Sequence, residues 1–211
     1  MNEPRYRRRK EDRPAEITAA AFEAFAEKGY DGTRVDDVAR RAGVSKGLLY
    51  LYFNTKEELF KAVIKSFITP KIEALKTEVE SSDLSAEAFL RGPFLEFAKQ
   101  IPKSPVKILL RLMIAEGPKH PDLVAYYWDN VVSVGLAALS LVIEKGVRGG
   151  EFRRSALDDF PQLLLSPIMF SVIWSIVFQS KRALDSDKML EGHIDMILGA
   201  IKIDNGQAGV A

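Results

Sequence analysis

Residues that suit phosphate binding concentrate between positions 38 and 55 of this 211-residue sequence. The segment contains Arg40, Arg41 and Lys46 but no acidic residue, and Lys56 follows it directly. Phosphates attract Lys and Arg and repel carboxylates, so this composition favours contact with a nucleic-acid backbone. The alternative is an ordinary pair of surface helices whose basic faces are solvated.

Small and hydroxyl-bearing residues accompany these charges. Ser45 is a small donor of the kind that contacts phosphate at a helix N-terminus. Gly47 has no side chain and allows the backbone to come close to a partner. Tyr50 and Tyr52 each carry a hydroxyl on a rigid ring, which suits either a phosphate or a base edge.

Short patterns suggest two other chemistries, hydrolysis and metal binding, and the surrounding residues argue against both. Gly43–Gly47 matches the G-x-S-x-G turn of hydrolases, but that turn follows a strand, whereas a helix is predicted here. The only histidines are His120 and His193, and neither has a recognisable set of ligand-type neighbours. Glu116 lies four residues before His120, but Gly117–Pro118 should break any shared helical face. We therefore expect no enzyme, no metal site and no cofactor.

The elements that must position the basic segment are two short helices joined by a tight turn. Thr33 is expected to cap the first helix, and Gly43 supplies the positive φ that a sharp helix exit requires. Ser45 is expected to cap the second helix, and Thr55-x-x-Glu58 is a capping box that starts a third. This is the outline of a helix-turn-helix, whose second helix enters the DNA major groove.

The run from Gly29 to Phe60 closely resembles the DNA-binding domain of the TetR family of transcriptional regulators. The resemblance covers roughly residues 14 to 62, less than a third of the chain. The residues that carry it are Gly29-Tyr30, Val38-Ala39, Ala42-Gly43-Val44-Ser45-x-Gly47, Tyr50-x-Tyr52-Phe53 and Lys56-Glu57-Glu58-Leu59.

The predicted DNA interface lies around the second short helix. It comprises Thr33, Arg34, Ser45, Lys46, Gly47, Leu48, Tyr50, Tyr52 and Lys56. The resemblance implies that the two tyrosines and Lys56 contact backbone phosphates and that residues 46–48 lie nearest the bases. Arg34 departs from the family, many members of which carry a small hydroxyl residue there; it either adds a phosphate contact or is solvated.

The chain is predicted to be all-α, with three parts. Residues 1–13 form a disordered basic arm that binds nucleic acid or merely solubilises the chain. Residues 14–60 form a three-helix DNA-binding domain, and residues 61–205 form a helical ligand-binding and dimerisation domain. The absence of cysteine fits a reducing compartment, so we expect a cytoplasmic protein.

The later helices are predicted from helical periodicity and from prolines. The helix from Thr55 should run to about Glu80 with a kink or break at Pro70. The penultimate helix should span about 156–181. It includes the charge-free stretch 160–180, which we interpret as a buried helix and not a membrane span.

The last helix should begin near Asp185 and carry Leu190, Ile194, Ile197 and Ile201 on one face. Together with the penultimate helix it offers more apolar surface than a small domain can cover. We therefore predict a homodimer through the last two helices, and the resemblance implies the same. Such a dimer would read a palindromic operator on double-stranded DNA. The alternative is a single intramolecular core.

Aromatic and Met side chains are spread over the predicted middle and late helices, where most should be core. The candidate ligand-binding residues are Phe94, Met113, Glu116, Tyr127, Trp128, Phe170 and Trp174. The resemblance implies a small, largely apolar inducer that releases the protein from DNA by a population shift. The predicted function is a ligand-responsive repressor. The alternatives are a helical module that acts through protein partners and a DNA-binding activator.

Overall fold

The computed structural model describes the backbone of residues 5–203 and the side chains of residues 13–203. Within this range the chain forms no strand, and an isolated antiparallel bridge joins Phe152 to Lys202. The all-α prediction is therefore confirmed. The α-helices are α1 (Arg5–Gly32), α2 (Val35–Arg41), α3 (Lys46–Tyr50), α4 (Lys56–Phe67), α5 (Thr69–Ser81), α6 (Ala86–Phe89), α7 (Leu95–Gln100), α8 (Val106–Glu116), α9 (Pro121–Tyr127), α10 (Ser133–Arg148), α11 (Ala156–Asp159), α12 (Gln162–Val177) and α13 (Ser186–Ile201).

Tighter or wider turns connect several of these helices. Ile101–Lys103 and Gly117–Lys119 are 3₁₀ turns, and Leu90–Phe94 and Trp128–Val132 are π-helical turns. Pro93 lies in the first π turn. A proline lacks the N–H that would continue an α-helix, so the irregular turn has a local cause.

The chain divides into two compact units. The first unit comprises the chain up to Pro70 together with Ile108–Asn130, and the second comprises Lys71–Lys107 and the chain from Val131 onward. The boundary expected between residues 60 and 61 differs from this division, because α9 and most of α8 belong to the first unit. Arg111 of α8, for example, donates to the carbonyl of Ala26 at 2.7 Å.

Helix α1 begins within the basic N-terminal segment. Residues 5–13 are helical, not disordered as expected, while residues 1–4 of the predicted arm lie outside the described residues. Arg, Lys and Glu are good helix formers, which explains why a charged segment continues the helix. The regular part of α1 ends at Gly29, whose φ of 74° lies in the left-handed region.

Aromatic rings form the centre of the first unit. Phe25 stacks on Tyr30 with ring centroids 5.6 Å apart, and Phe60 meets both rings edge-on. Val38 of α2 and Leu49 of α3 are fully buried beside α1 and α4. This packing fixes the two short helices on the longer ones, as the three-helix core predicted from the sequence requires.

The helix predicted to run from Thr55 to Glu80 is interrupted. Helix α4 ends at Phe67, Ile68 has a distorted φ of −111°, and α5 begins at Thr69. Pro70 therefore lies in the first turn of α5, where its missing N–H has no helical acceptor to lose. The predicted break is confirmed, and it falls just ahead of the proline.

The second unit has a single apolar core built from α5, α6, α7 and α10–α13. Phe89, Phe94, Leu139 and Phe152 are among its buried side chains. Glu151, which follows α10, is bonded to the start of α6. Its carboxylate accepts hydrogen bonds from the backbone N–H groups of two consecutive residues there. The distances are 3.0 Å to Ala86 and 3.1 Å to Glu87.

The last helices differ in part from their predictions. The expected helix 156–181 is divided into α11 and α12, with Phe160 and Pro161 between them. Helix α13 begins directly after Asp185, as expected, and the Asp185 side chain caps it by accepting from the N–H of Lys188 at 3.1 Å. The face that carries Leu190, Ile194 and Ile201 packs into the core of its own subunit. That face therefore does not provide the predicted dimer surface.

One helical stretch among the described residues, Pro121–Arg148, is long and apolar enough to cross a membrane by length and composition alone. The stretch 160–180 singled out in the sequence contains only the shorter helix α12. Core helices of soluble proteins pass the same test, so a single helix of this kind is weak evidence for a membrane span.

Candidate nucleic-acid interface

A tight turn joins α2 to α3. Gly43 adopts a φ of 64°, as predicted, and the N–H of Val44 reaches back to the carbonyl of Ala39 at 3.0 Å. A residue with a side chain is strained in this left-handed conformation. The turn therefore depends on glycine, and it sets the direction in which α3 leaves α2.

Side-chain caps begin α3 and α4. Ser45 caps α3, and its Oγ accepts from the N–H of Leu48 at 3.1 Å, as predicted. Thr55 caps α4 in the same way, accepting from the N–H of Glu58 at 3.1 Å. The carboxylate of Glu58 accepts at 2.7 Å from the N–H of Asn54, one residue before the cap. The predicted capping box is thus present in its first half and shifted by one residue in its second.

Helix α3 buries one face and exposes the other. Leu49 is fully buried, whereas Lys46, Gly47 and Tyr50 are exposed and Leu48 is partly buried. No atom lies within 4 Å of the position that a Cβ on Gly47 would take, so the backbone is open to a partner there. The exposed face matches the chemistry expected of a helix that enters a DNA groove.

Leu51 is a further exposed residue that the sequence reading missed. It follows α3 directly, and 71% of its surface is exposed, which is unusual for a large apolar residue. Helical periodicity could have predicted this exposure, because Leu51 lies two positions after the buried Leu49 and so falls on the opposite side of the chain.

Lys46 has an anionic neighbour that the local sequence does not reveal. Its Nζ lies 2.8 Å from Oδ1 of Asp36, which belongs to α2. The hydrogen bond to Asp36 raises the pKa of Lys46 above its ordinary value, so the side chain is charged at neutral pH. Both side chains are exposed, and Lys46 can exchange this carboxylate for a phosphate at little cost.

Thr33 does not have the expected roles. It is buried, and its hydroxyl donates to the carbonyl of Gly29 at 2.7 Å, with the carbonyl of Ala24 3.1 Å away as a second acceptor of the shared proton. The residue that caps α2 is Arg34, whose side chain makes no capping bond and is exposed. Thr33 therefore fastens α2 to the end of α1, and its hydroxyl is not available to DNA.

Two of the cations in the basic segment point toward the protein. Arg41 pairs with Glu23 at 3.0 Å and with Glu27 of α1. Lys56 donates from Nζ to the carbonyl of Tyr30 at 2.9 Å and lies 4.4 Å from the centre of its ring. Both cations stabilise the first unit, and a phosphate contact by Lys56 would compete with these bonds.

The remaining predicted DNA residue, Tyr52, is partly buried directly after α3. The predicted interface therefore falls into an exposed group and an inward group. The exposed group consists of Arg34, Ser45, Lys46, Gly47 and Tyr50, with Leu48 and Tyr52 at its margin.

The predicted ligand residues are distributed over both units. Met113, Glu116, Tyr127 and Trp128 belong to the first unit, while Phe94, Phe170 and Trp174 belong to the second. Phe94 is buried in the core, and burial raises the pKa of the Tyr127 hydroxyl. Phe170 and Trp174 are neighbours, with ring centroids 5.6 Å apart, and Phe170 is exposed.

Two surface clefts of the second unit are lined by other residues. A cleft of about 370 Å³ lies between α5 and the segment 93–104, and its walls include Leu75, Phe97 and Ile101 with Glu78 and Gln100. A second, of about 290 Å³, lies between α5, the start of α6 and α10. None of the seven predicted ligand residues lines either cleft.

Comparisons with known proteins agree with this architecture. The family model described as "Bacterial regulatory proteins, tetR family" matches residues 17–63. The chain is 34% identical over 146 residues to the HTH-type transcriptional regulator YfiR of Bacillus subtilis, covering 68% of this chain and 70% of that protein. It is 26% identical to the HTH-type transcriptional regulator YezE of the same organism, covering 92% and 98%.

A solved structure shares the whole fold. It is the transcriptional regulator FadR from Bacillus subtilis in complex with stearoyl-CoA, with a TM-score of 0.73 and 20% identity. The match covers 89% of this chain and 98% of that chain. At this level of identity the likeness concerns the arrangement of helices and not the residues of a site.

Proposed function

We propose that this chain, which belongs to the TetR family of bacterial regulatory proteins, is a ligand-responsive transcriptional repressor. As a homodimer in the cytoplasm it binds a palindromic operator through α3, and a small, largely apolar inducer releases it. Its relatives are transcriptional regulators, which supports a regulatory and not an enzymatic role.

The observation that carries the proposal is the exposed face of α3. Lys46, Gly47 and Tyr50 stand on it beside the Ser45 cap, and the fully buried Leu49 fixes the helix from below. A cation, an open backbone position and a tyrosine hydroxyl together suit a groove lined by phosphates and base edges. Lys46 and Gly47, with Leu48, would lie nearest the bases, while Tyr50 would contact a phosphate.

The proposed dimer surface is the outer face of the last two helices. On α12, Leu163, Phe170, Ile173 and Val177 are exposed at helical spacing and form an apolar stripe. Met196 is the exposed apolar residue of α13, near the exposed Gly199. Two copies of this face would form a four-helix bundle about a two-fold axis. Two α3 helices about 34–36 Å apart would then read the two halves of a palindrome.

We place the inducer in the cleft of the second unit lined by Leu75, Phe97 and Ile101. Its volume of about 370 Å³ lies in the range of small-ligand sites, and Glu78 and Gln100 supply polar groups beside apolar walls. The structural relative FadR holds stearoyl-CoA, which supports an acyl compound as the class of ligand. The inducer releases DNA only if it binds the non-DNA-binding state more tightly.

A gel shift with the intergenic DNA next to the gene tests the DNA-binding role. We expect a discrete complex whose affinity falls steeply with salt and which unlabelled DNA of the same sequence displaces first. A reporter gene behind this DNA should be less active when the protein is present. Increased activity would favour an activator, and the absence of a discrete complex would favour a module that acts through protein partners.

A thermal-shift screen tests the proposed inducer class. Long-chain acyl compounds should raise the melting temperature of the wild type and dissolve the DNA complex. The variant Ala74→Phe, which fills the wall of the proposed cleft, should still bind DNA but should no longer respond. An undiminished response of Ala74→Phe would place the inducer elsewhere.

A further inference from the structure

Three metal-ligating side chains that belong to other elements than α3 meet in the first unit. Asp31 comes from the last turn of α1, Glu116 from the end of α8, and His120 from the residue before α9. One ligand atom of each lies within 4.8 Å of the others, and Nε2 of His120 is 2.8 Å from Oδ1 of Asp31. The 3₁₀ turn Gly117–Lys119 produces this approach by returning the chain after α8.

This geometry corrects an expectation from the sequence. Gly117–Pro118 was expected to separate Glu116 from His120 by ending their common helix face. The helix does end at Glu116, but the turn that follows brings the two side chains together in another way. Asp31 could not be anticipated at all, because the first unit brings it from 85 residues away in sequence to Glu116.

The group is partly sheltered and its imidazole is held in place. Glu116 and His120 are partly buried, and the ring of Tyr30 packs edge-on against His120 with centroids 4.6 Å apart. Nε2 of His120 also bonds to Oδ1 of Asp31, which fixes the imidazole relative to this carboxylate. The ligands are therefore oriented before any ion arrives, which reduces the entropy lost on binding.

A cationic side chain already takes part in the group. The ammonium of Lys119 lies 3.0 Å from Oε2 of Glu116 and 3.6 Å from Oδ2 of Asp31. Lys56 is the other nearby cation, and it donates to the main-chain carbonyl of Asp31 at 3.4 Å. The side chain of Lys119 is 62% exposed, so it can swing into solvent without losing buried contacts. Without this ammonium, Lys56 is the remaining nearby cation, and it bonds to the main chain and not to either carboxylate.

We propose that Asp31, Glu116 and His120 form a binding site for a divalent transition-metal ion of the zinc class. One imidazole and two carboxylates are the ligand types that such ions take, and water would complete the coordination. The imidazole selects against Mg²⁺ and Ca²⁺, which prefer all-oxygen sites. The bound ion would replace the ammonium of Lys119 and tie the end of α1 to the segment between α8 and α9.

Calorimetric titration of the tag-free protein with Zn²⁺ tests the site. The chain is well suited to this measurement because it has two histidines and no cysteine, so few other zinc ligands compete. We expect one Zn²⁺ per chain, with much weaker binding of Mg²⁺. His120→Gln should weaken Zn²⁺ binding about 100-fold or more, since even residues that only orient a ligand contribute about 10–100-fold.

Matched variants separate coordination from folding. His193→Gln removes the other histidine, which bonds to the carbonyl of Leu163 at 2.9 Å, and should leave Zn²⁺ binding unchanged. Asp31→Asn keeps the shape of its side chain and should weaken binding as His120→Gln does. Lys119→Gln removes the competing cation and should strengthen binding about tenfold. Circular dichroism of each metal-free variant checks that it is folded.

The outcomes decide the proposal without reference to DNA or inducer. Stoichiometric Zn²⁺ binding that depends on His120 and Asp31 and tightens in Lys119→Gln supports it. The proposal fails if the wild type does not bind Zn²⁺, or if a folded His120→Gln variant binds it as well as the wild type. It also fails if His193→Gln loses the ion, which would place the site in the second unit.

Discussion

The outer faces of α3 and α12 are both exposed, but their chemistry is opposite. Helix α3 presents Lys46, an open glycine backbone and a tyrosine hydroxyl, whereas α12 presents Phe170, Ile173 and Val177 without a single charge. Exposure alone shows that a partner is possible. The side chains support a different proposed partner for each face: a polyanion for α3, and a second apolar surface for α12.

The contrast is sharpest in the response to salt. Raising the salt concentration from about 50 to 200 mM should weaken operator binding by about 10³-fold or more, because phosphate contacts release counterions. The same change should leave the dimer intact, since apolar contacts are not screened. Fluorescence anisotropy and sedimentation velocity measure the two effects on one sample. A dimer that dissociates with the same salt dependence would show that α12 is not its interface.

Charge placed on the α12 face should abolish dimerisation. In Phe170→Asp/Ile173→Asp, association would bury two carboxylates on each chain, so the dimer dissociation constant should rise at least about 100-fold. The chain should stay folded because both side chains are exposed. Light scattering gives the mass. The control is Leu198→Asp on α13, which places a charge in the core and should unfold the subunit. If Phe170→Asp/Ile173→Asp is folded and still dimeric, the interface lies elsewhere.

Removing the tyrosine of α3 should affect DNA binding and nothing else. Tyr50→Ala loses a hydroxyl contact to phosphate, so operator affinity should fall about tenfold or more while the melting temperature is unchanged. Leu49→Ala is the matched control, because it empties a buried position and should lower the free energy of unfolding by about 2–5 kcal/mol. An unchanged affinity of Tyr50→Ala would contradict the assignment of this face to the groove.

Substitutions of Lys46 and Lys56 should change DNA binding in different ways. Lys46→Ala should relax base preference, because Lys46 stands on the exposed face of α3. Lys56→Met should reduce the salt slope by about one if it contacts a phosphate. It should also lower the melting temperature by about 2–4 °C, because its bonds to main-chain carbonyls are lost. If both substitutions change base preference equally, Lys46 and Lys56 do not have the separate base-contacting and phosphate-contacting roles proposed for them.

Local chemistry made α3 largely predictable. The Ser45 cap, the left-handed Gly43 and the buried Leu49 each follow from residue type and spacing within ten positions. Thr33 was misread because a hydroxyl before a helix usually caps it, whereas here a tertiary contact with α1 takes the hydroxyl. The ion pair between Lys46 and Asp36 was not predicted, because only the turn between α2 and α3 brings the Asp36 carboxylate near Lys46.

The face of α12 was less predictable because it depends on what the rest of the chain covers. Periodicity correctly found an apolar face on α13, but Ile194 is buried in its own subunit and the exposed stripe is on α12. A charge-free helix gives no periodic signal of which side faces outward. The cleft proposed to bind the inducer was not predicted for the same reason, since Phe97 differs from the buried Phe94 only in the packing around it.

The carboxylate of Glu151 has a consequence for the order in which the protein is made. The two amides that it holds belong to residues 65 and 64 positions earlier in the chain. During synthesis α6 therefore leaves the ribosome well before this partner exists, and in that interval only the Ser85 side chain caps its first turn. At about 5–20 residues per second the wait lasts several seconds. The start of α6 therefore gains these two hydrogen bonds only after the chain has been synthesised through Glu151.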